Sequence, residues 1–258
     1  MLLLISWRNI WRNHKRSLVI LSAIAAGLFG GVFTTALMQG MLNQRFSTAI
    51  EQHISHLQIH DPVFLAEELP EYNIRDHEAI LQKIEEDVRV LAFSPRTLAN
   101  GMLLSAHMSR GVEIKGVDPE KEAATTGLNI NIIEGSYFSD QSHNPVLVGK
   151  KLAERTRLQT GSRVALTFQD AGGELVSAAF RVAGIFQTAN SGFDETYVFV
   201  NKKELDEYIS QGVIVHEIAL KAIDINHIGL VAKDLRRDFQ QLSIRTWDEV
   251  SPELSYLQ

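Results

Sequence analysis

The chain of 258 residues contains no cysteine. That excludes a disulfide framework, thiol catalysis and cysteine-based zinc sites. It suits a periplasm, although cytosolic chains also lack cysteine. No acidic residue precedes Glu51. Two nucleotide and metal signatures are also missing. Gly149-Lys150 has Asn at 144 and Lys at 151, where a phosphate loop needs Gly and Ser or Thr, so no nucleotide site is read there. His53, His56 and His60 are spaced for one helix face, but no Glu follows the first, so the H-E-x-x-H pattern fails. No Ser/His/Asp spacing or paired-carboxylate motif rises above background, so no catalytic, cofactor or metal residue is assigned.

Acid is not missing further on. Residues 1–50 carry a formal +5 and the remainder −11, together the stated −6. An acidic body argues against nucleic acid, which selects basic patches. Hydrophobic residues make up 45% and charged residues 22%, as in an ordinary folded protein rather than a disordered one.

One stretch organises the chain. Residues 17–38, SLVILSAIAAGLFGGVFTTALM, have no charge and four hydroxyl side chains. A helix of that length covers about 30 Å, the hydrocarbon core of a bilayer. The run exceeds a signal-peptide core and no A-x-A site closes it, so an uncleaved anchor over 17–39 is expected. Arg8, Arg12, Lys15 and Arg16 precede it. The positive-inside rule then places the N-terminus in the cytoplasm and residues 40–258 outside. Residues 1–16 read as an interfacial amphipathic helix. Leu3, Leu4, Trp7, Ile10 and Trp11 share one face, and Arg8, Asn9, Arg12 and Asn13 the other; Ile5 is the exception. Trp7, Arg8, Trp11, Arg12, Lys15 and Arg16 are the expected membrane-interface residues. Inside the span Ala23, Gly27, Gly31 and Thr35 recur every four residues, a small-residue stripe suited to helix packing in lipid.

The rest alternates strands and helices. HISHLQIH (53–60) reads as a half-buried strand with solvated histidines, preferred over a metal site. Residues 61–75, with two prolines, read as a loop. Asp76 caps a helix with Ile80, Leu81, Ile84, Val88 and Leu91 on one face. Strands are expected over 97–106 and 112–117 around a turn at Ser109–Gly111. Residues 118–144 read as a crossing into a second unit. A strand and short helix follow in PVLVGKKLAERTRL. A hairpin over 163–168 and 175–186 turns at Asp170–Gly173. A strand over Thr196–Val200 leads to a helix opened by Asn201 and Glu204. A strand over His216–Lys221 precedes a helix bearing Ile228, Val231, Leu235 and Phe239, then a strand over Ser243–Trp247. Such α/β units at both ends, with a β-rich unit between, suggest one split α+β domain carrying an insertion.

The order of segments resembles a family. WRNIWRNHKRS before a membrane helix, then HLQIHDP, VEIKGVDPE, IIEGSYFSD, NPVLVGKKLAERTRLQTGSRVALTF, FRVAGIF and TWDEVSPELSYL together resemble the FtsX/MacB-type ABC transporter permeases. The Gly-Val-Asp-Pro segment and the HLQIH strand look most like the lipoprotein-releasing (Lol-type) branch. A MacB-type efflux or mechanotransmission permease is the near alternative. The resemblance implies a porter-like part over 40–117 and 212–258, split by an inserted β-rich part over 118–211. It implies a cytoplasmic ABC ATPase subunit as partner, a second permease subunit, contact with membrane lipid and a lipoprotein cargo. It also implies an inner-membrane location with the main domain periplasmic. The family has four membrane helices and this chain stops before the second, so a fragment is expected over a truncated homologue. A single-span anchored sensor or binding module is the reading from a different class.

Overall fold

The computed structural model describes residues 14–49, 55–106, 108–138 and 144–252, with side chains in the first helix from Lys15 to Met41. It divides into two compact units, residues 1–47 and 48–258. The first is helix α1 (His14–Ala49). Lys15–Met41 is long and apolar enough to cross a membrane, and none of that stretch is buried. Three of its hydroxyls bond back within the helix. Ser22 Oγ donates to the Val19 carbonyl at 3.0 Å, Thr34 Oγ1 to Gly30 at 2.8 Å and Thr35 Oγ1 to Gly31 at 2.9 Å. A helix in lipid requires this internal satisfaction of polar groups.

The second unit carries ten strands among the described residues: β1 (Leu57–His60), β2 (Val90–Leu104), β3 (Ser109–Val117), β4 (Ile132–Gly135), β5 (Pro145–Gly149), β6 (Arg163–Gln169), β7 (Leu175–Phe186), β8 (Tyr197–Asn201), β9 (Glu217–Ala222) and β10 (Ser243–Thr246). Helices α2 (Pro62–Glu67), α3 (His77–Glu85), α4 (Pro119–Thr126), α5 (Lys150–Thr156), α6 (Phe193–Thr196), α7 (Lys202–Ile209), α8 (Ile228–Asp238) and α9 (Trp247–Val250) connect them. The architecture is α+β: one N-terminal apolar helix, then a sheet-rich domain.

Strand β2 holds the domain together because it pairs in two places. Its first half, Val90–Arg96, runs against β9, which pairs with β1 and through it with β10. Its second half, from Thr97, pairs with β3, and Gly101–Leu104 also pair with β6. From there the order β3–β8–β5–β7–β6 returns to β2, so six strands close into a barrel. The closure is tight at Gly101: a Cβ there would lie 2.5 Å from the Thr167 carbonyl oxygen. Alternation along the strands fills the interior with Leu103, Ile114, Val148, Leu166, Phe180 and Val198. A separate core under α3 and α8 gathers Leu57, Ile59, Ile80, Ile84, Ile218, Val231 and Leu235. The partner change within β2 falls between Arg96 and Thr97, upstream of residue 118, where the sequence pattern places the crossing.

Several local expectations are corrected. Helix α3 ends at Glu85, leaving Val88 and Leu91 exposed beyond it. Asp76 sits in the left-handed region and makes no side-chain cap bond. The first hairpin turns at Ser105–Met108 rather than Ser109–Gly111, with Ser105 N donating to the Met108 carbonyl at 2.9 Å. His56, Gln58 and His60 are buried, not solvated. Leu57 and Ile59 face the core under α3 and α8, and on the other face His60 meets Glu217 and stacks with Phe64 of α2 at 6.4 Å between ring centroids.

Candidate functional site

The stripe residues Ala23, Gly27, Gly31 and Thr35 lie in α1 and are exposed. A Cβ at Gly27 or Gly31 would meet nothing within 4 Å. Thr35 turns its hydroxyl back to the Gly31 carbonyl, so its outward surface is mainly methyl. The stripe is thus an uncovered shallow track, the form that lets a second helix approach closely in lipid. Lys15 and Arg16 stand exposed at the start of the same helix. Trp7, Arg8, Trp11 and Arg12 lie outside the described residues.

The second feature lies in the sheet-rich unit, where β2 changes partners. Arg96 is 1% exposed and stands opposite Glu217 in the β2–β9 register. Its guanidinium donates to Glu122 of α4 through Nε at 2.9 Å and Nη2 at 2.7 Å, and through Nη1 to Glu217. Glu217 also accepts from His60 Nε2 at 3.1 Å; a carboxylate only accepts, so that ring nitrogen carries the proton. Thr126 Oγ1 donates to Glu122 at 3.0 Å. Burial alone would raise the Glu217 pKa. The cations of Lys115 and Arg96, with the His60 bond, hold it well below the ordinary 4.5. These residues come from β1, β2, β3, α4 and β9, so the lattice fastens the α/β part to the barrel. A bidentate Arg–carboxylate pair fixes orientation as well as distance.

Two smaller polar sites stand beside it. His216 Nδ1 accepts from Leu98 N at 3.0 Å, so Nε2 carries the proton and reaches the Pro70 carbonyl at 3.0 Å. Burial lowers its pKa to about 4, which keeps the ring neutral and both bonds intact at neutral pH. Lys202 Nζ donates to Thr97 Oγ1 and Asp206 Oδ2, each at 2.7 Å, and to the Ile214 carbonyl. Burial lowers the Lys202 pKa, while Asp206 opposes that shift. These bonds tie α7 to β2 and to the segment leading into β9. Among the described residues no cluster of three or more His, Asp or Glu could hold a metal ion.

The sequence reading singled out the stripe and the interface residues but missed the lattice. Its signal lay in charges within strands: Arg96 in β2, Lys115 in β3 and Glu217 at the start of β9. The arrangement forms no nucleophile–base pair. It links side chains of β1, β2, α4 and β9 at the junction of the two parts.

The model of MacB-like periplasmic core domains matches residues 17–238. Among solved structures, the periplasmic region of MacB from Actinobacillus actinomycetemcomitans aligns with a TM-score of 0.52 at 14% identity, covering 77% of this chain and 92% of that one. The extracellular domain of the noncanonic ABC-type transporter YknZ from Gram-positive bacteria aligns with a TM-score of 0.51 at 11% identity, covering 74% of this chain and all of that one. At such identities these two likenesses establish the fold.

Proposed function

Since the chain belongs to the family of MacB-like periplasmic core domains and is an ABC transporter permease component, we propose that it couples ATP hydrolysis by a cytoplasmic ABC ATPase subunit to work outside the inner membrane, namely lipoprotein release. In this reading α1 crosses the membrane with Lys15 and Arg16 on the cytoplasmic side. The sheet-rich unit is periplasmic, and a second permease subunit packs on the small-residue stripe. The permease carries no catalytic residue of its own.

One observation carries the proposal: an apolar helix of membrane length leads into a domain whose two parts are joined by a fully buried ion lattice. A unit that transmits force needs parts that move as bodies, and a bidentate lattice resists shear where apolar contacts slide. Lipoprotein as the cargo rests on the segments resembling the Lol-type branch. The efflux and mechanotransmission reading is favoured by the description of the matching family. One experiment separates them. Depleting the intact permease from its host should leave lipid-modified proteins in inner-membrane fractions. Unchanged lipoprotein sorting with increased drug or peptide sensitivity would select the efflux reading.

A further inference from the structure

Lys115 of β3 is 7% exposed, and among the described residues its ammonium has no carboxylate within ion-pair distance and no hydrogen bond; it stands over the Tyr197 ring, 4.7 Å from Nζ to the centroid. A lysine with a buried stem keeps little of the hydration of its ammonium, and a ring face compensates only part of that cost. Burial accordingly pushes the Lys115 pKa down, and the more distant Glu217 does not reverse this. Alternation along β3 turns Ile114 into the barrel, so Lys115 and Glu113 lie on its outer face. There they line a pocket of about 160 Å³ with His60, Glu68, Leu98 and Asn100. The His60 wall is fixed by Glu217, and Asn100 Nδ2 donates to Glu68 Oε2 at 2.8 Å.

The pocket therefore joins a lysine without a carboxylate partner among the described residues to the carboxylates of Glu68 and Glu113 on the same lining. Its size is close to the roughly 150 Å³ cavity that accepts benzene, a ligand of about six heavy atoms. A matching ligand is small and carries both an anion and a cation. We propose that this pocket binds a small zwitterionic α-amino acid, its carboxylate on Lys115 and its α-ammonium on Glu68 and Glu113. The carboxylate supplies the acceptor that Lys115 lacks and favours its charged form. The ammonium meets acceptors from both sides of the cleft: Glu68 follows α2 in the α/β part, and Glu113 belongs to the barrel. Bound ligand therefore bridges the two parts at the junction that Arg96 also spans.

The test uses the full chain in detergent micelles, with saturation-transfer NMR of three probes: alanine, N-acetylalanine and alaninamide. Alanine should bind saturably. N-acetylalanine lacks the cation and alaninamide lacks the anion; each should bind about tenfold more weakly or worse, as loss of one charge-assisted contact implies. Lys115→Met keeps the buried stem and removes the charge, and should abolish alanine binding. Glu68→Gln, at an exposed position, should weaken alanine while leaving N-acetylalanine unchanged, and tests the pocket independently if the Lys115 variant fails to fold. No saturable alanine binding, equal binding of the three probes, or parental affinity in Lys115→Met would overturn the assignment.

Discussion

Replacing Arg96 with methionine tests the lattice directly. Its side chain is 1% exposed, as is that of Glu122, while that of Glu217 is 5% exposed. Methionine fills much of the stem volume and removes every donor. Glu217 keeps His60 and the charge of Lys115, but Glu122 keeps only the Thr126 hydroxyl on its carboxylate. Breaking a buried pair from one side costs about 3–5 kcal/mol, because the remaining charge has neither water nor partner. For a unit of this size that is a fall of roughly 6–20 °C in melting temperature. The cost depends on pH with a definite sign. The folded-state pKa of Glu217 is depressed, so its contribution is fully present above the ordinary 4.5 and is lost as pH falls through the folded value. Without Arg96 that depression is weaker, so Glu217 protonates at higher pH than in the parent. The gap between parent and Arg96→Met should therefore hold from pH 7 down to the ordinary 4.5 and narrow as pH falls below it. Adding Glu122→Leu and Glu217→Met should bring stability back to within about 1 kcal/mol of the parent, or above it, since a packed apolar replacement avoids the desolvation cost. The assay is thermal unfolding of the intact chain by circular dichroism from about pH 3 to pH 7.5. A loss below about 1 kcal/mol at pH 7, or a gap that ignores pH, would refute the view that Arg96 neutralises two buried acids.

Two further outcomes are expected. A reporter active only outside the membrane, fused after Gln258, should be active, and one active only in the cytoplasm silent; the reverse pattern would remove the orientation assigned to α1. Gly31→Leu should reduce co-purification of the permease with its ATPase partner, at a cost of about 1–3 kcal/mol by analogy with overpacked cores, while Leu28→Ile stays nearly silent. Parental co-purification of Gly31→Leu would reduce the stripe to ordinary membrane-helix composition.

Elements whose periodicity reports a single covered face were legible in the sequence. The hairpin of β6 and β7 alternates buried and exposed over most of its length, and Ile228, Val231 and Leu235 mark the covered side of α8. For the same reason the end of α3 was overrun: Val88 and Leu91 continue the spacing of Ile80 and Ile84, although the helix has stopped and both are exposed. Spacing records where an apolar residue would point if the element continued, not whether it does.

Strand β1 fails differently. Leu-Gln-Ile-His alternates as a half-solvated strand would, yet all four residues are buried. The alternation is real, and one face is indeed polar. What the local pattern cannot contain is the identity of the cover. His60 Nε2 meets Glu217, 157 positions away, and His56 Nδ1 accepts from the Ala222 amide, 166 positions away. A polar face therefore has two resting places, water or a complementary polar face, and a single strand reads the same in both. The distinction appears only when strands are compared. Arg96, Lys115 and Glu217 each place a charge where an edge strand would tolerate it and a central strand would not. β3 and β9 are central, and among the described strands the first half of β2 pairs with β9. Arg96 and Glu217 meet across the β2–β9 pair, while Lys115 lies over the Tyr197 ring. The sheet order sets these charges side by side, which no single strand can show.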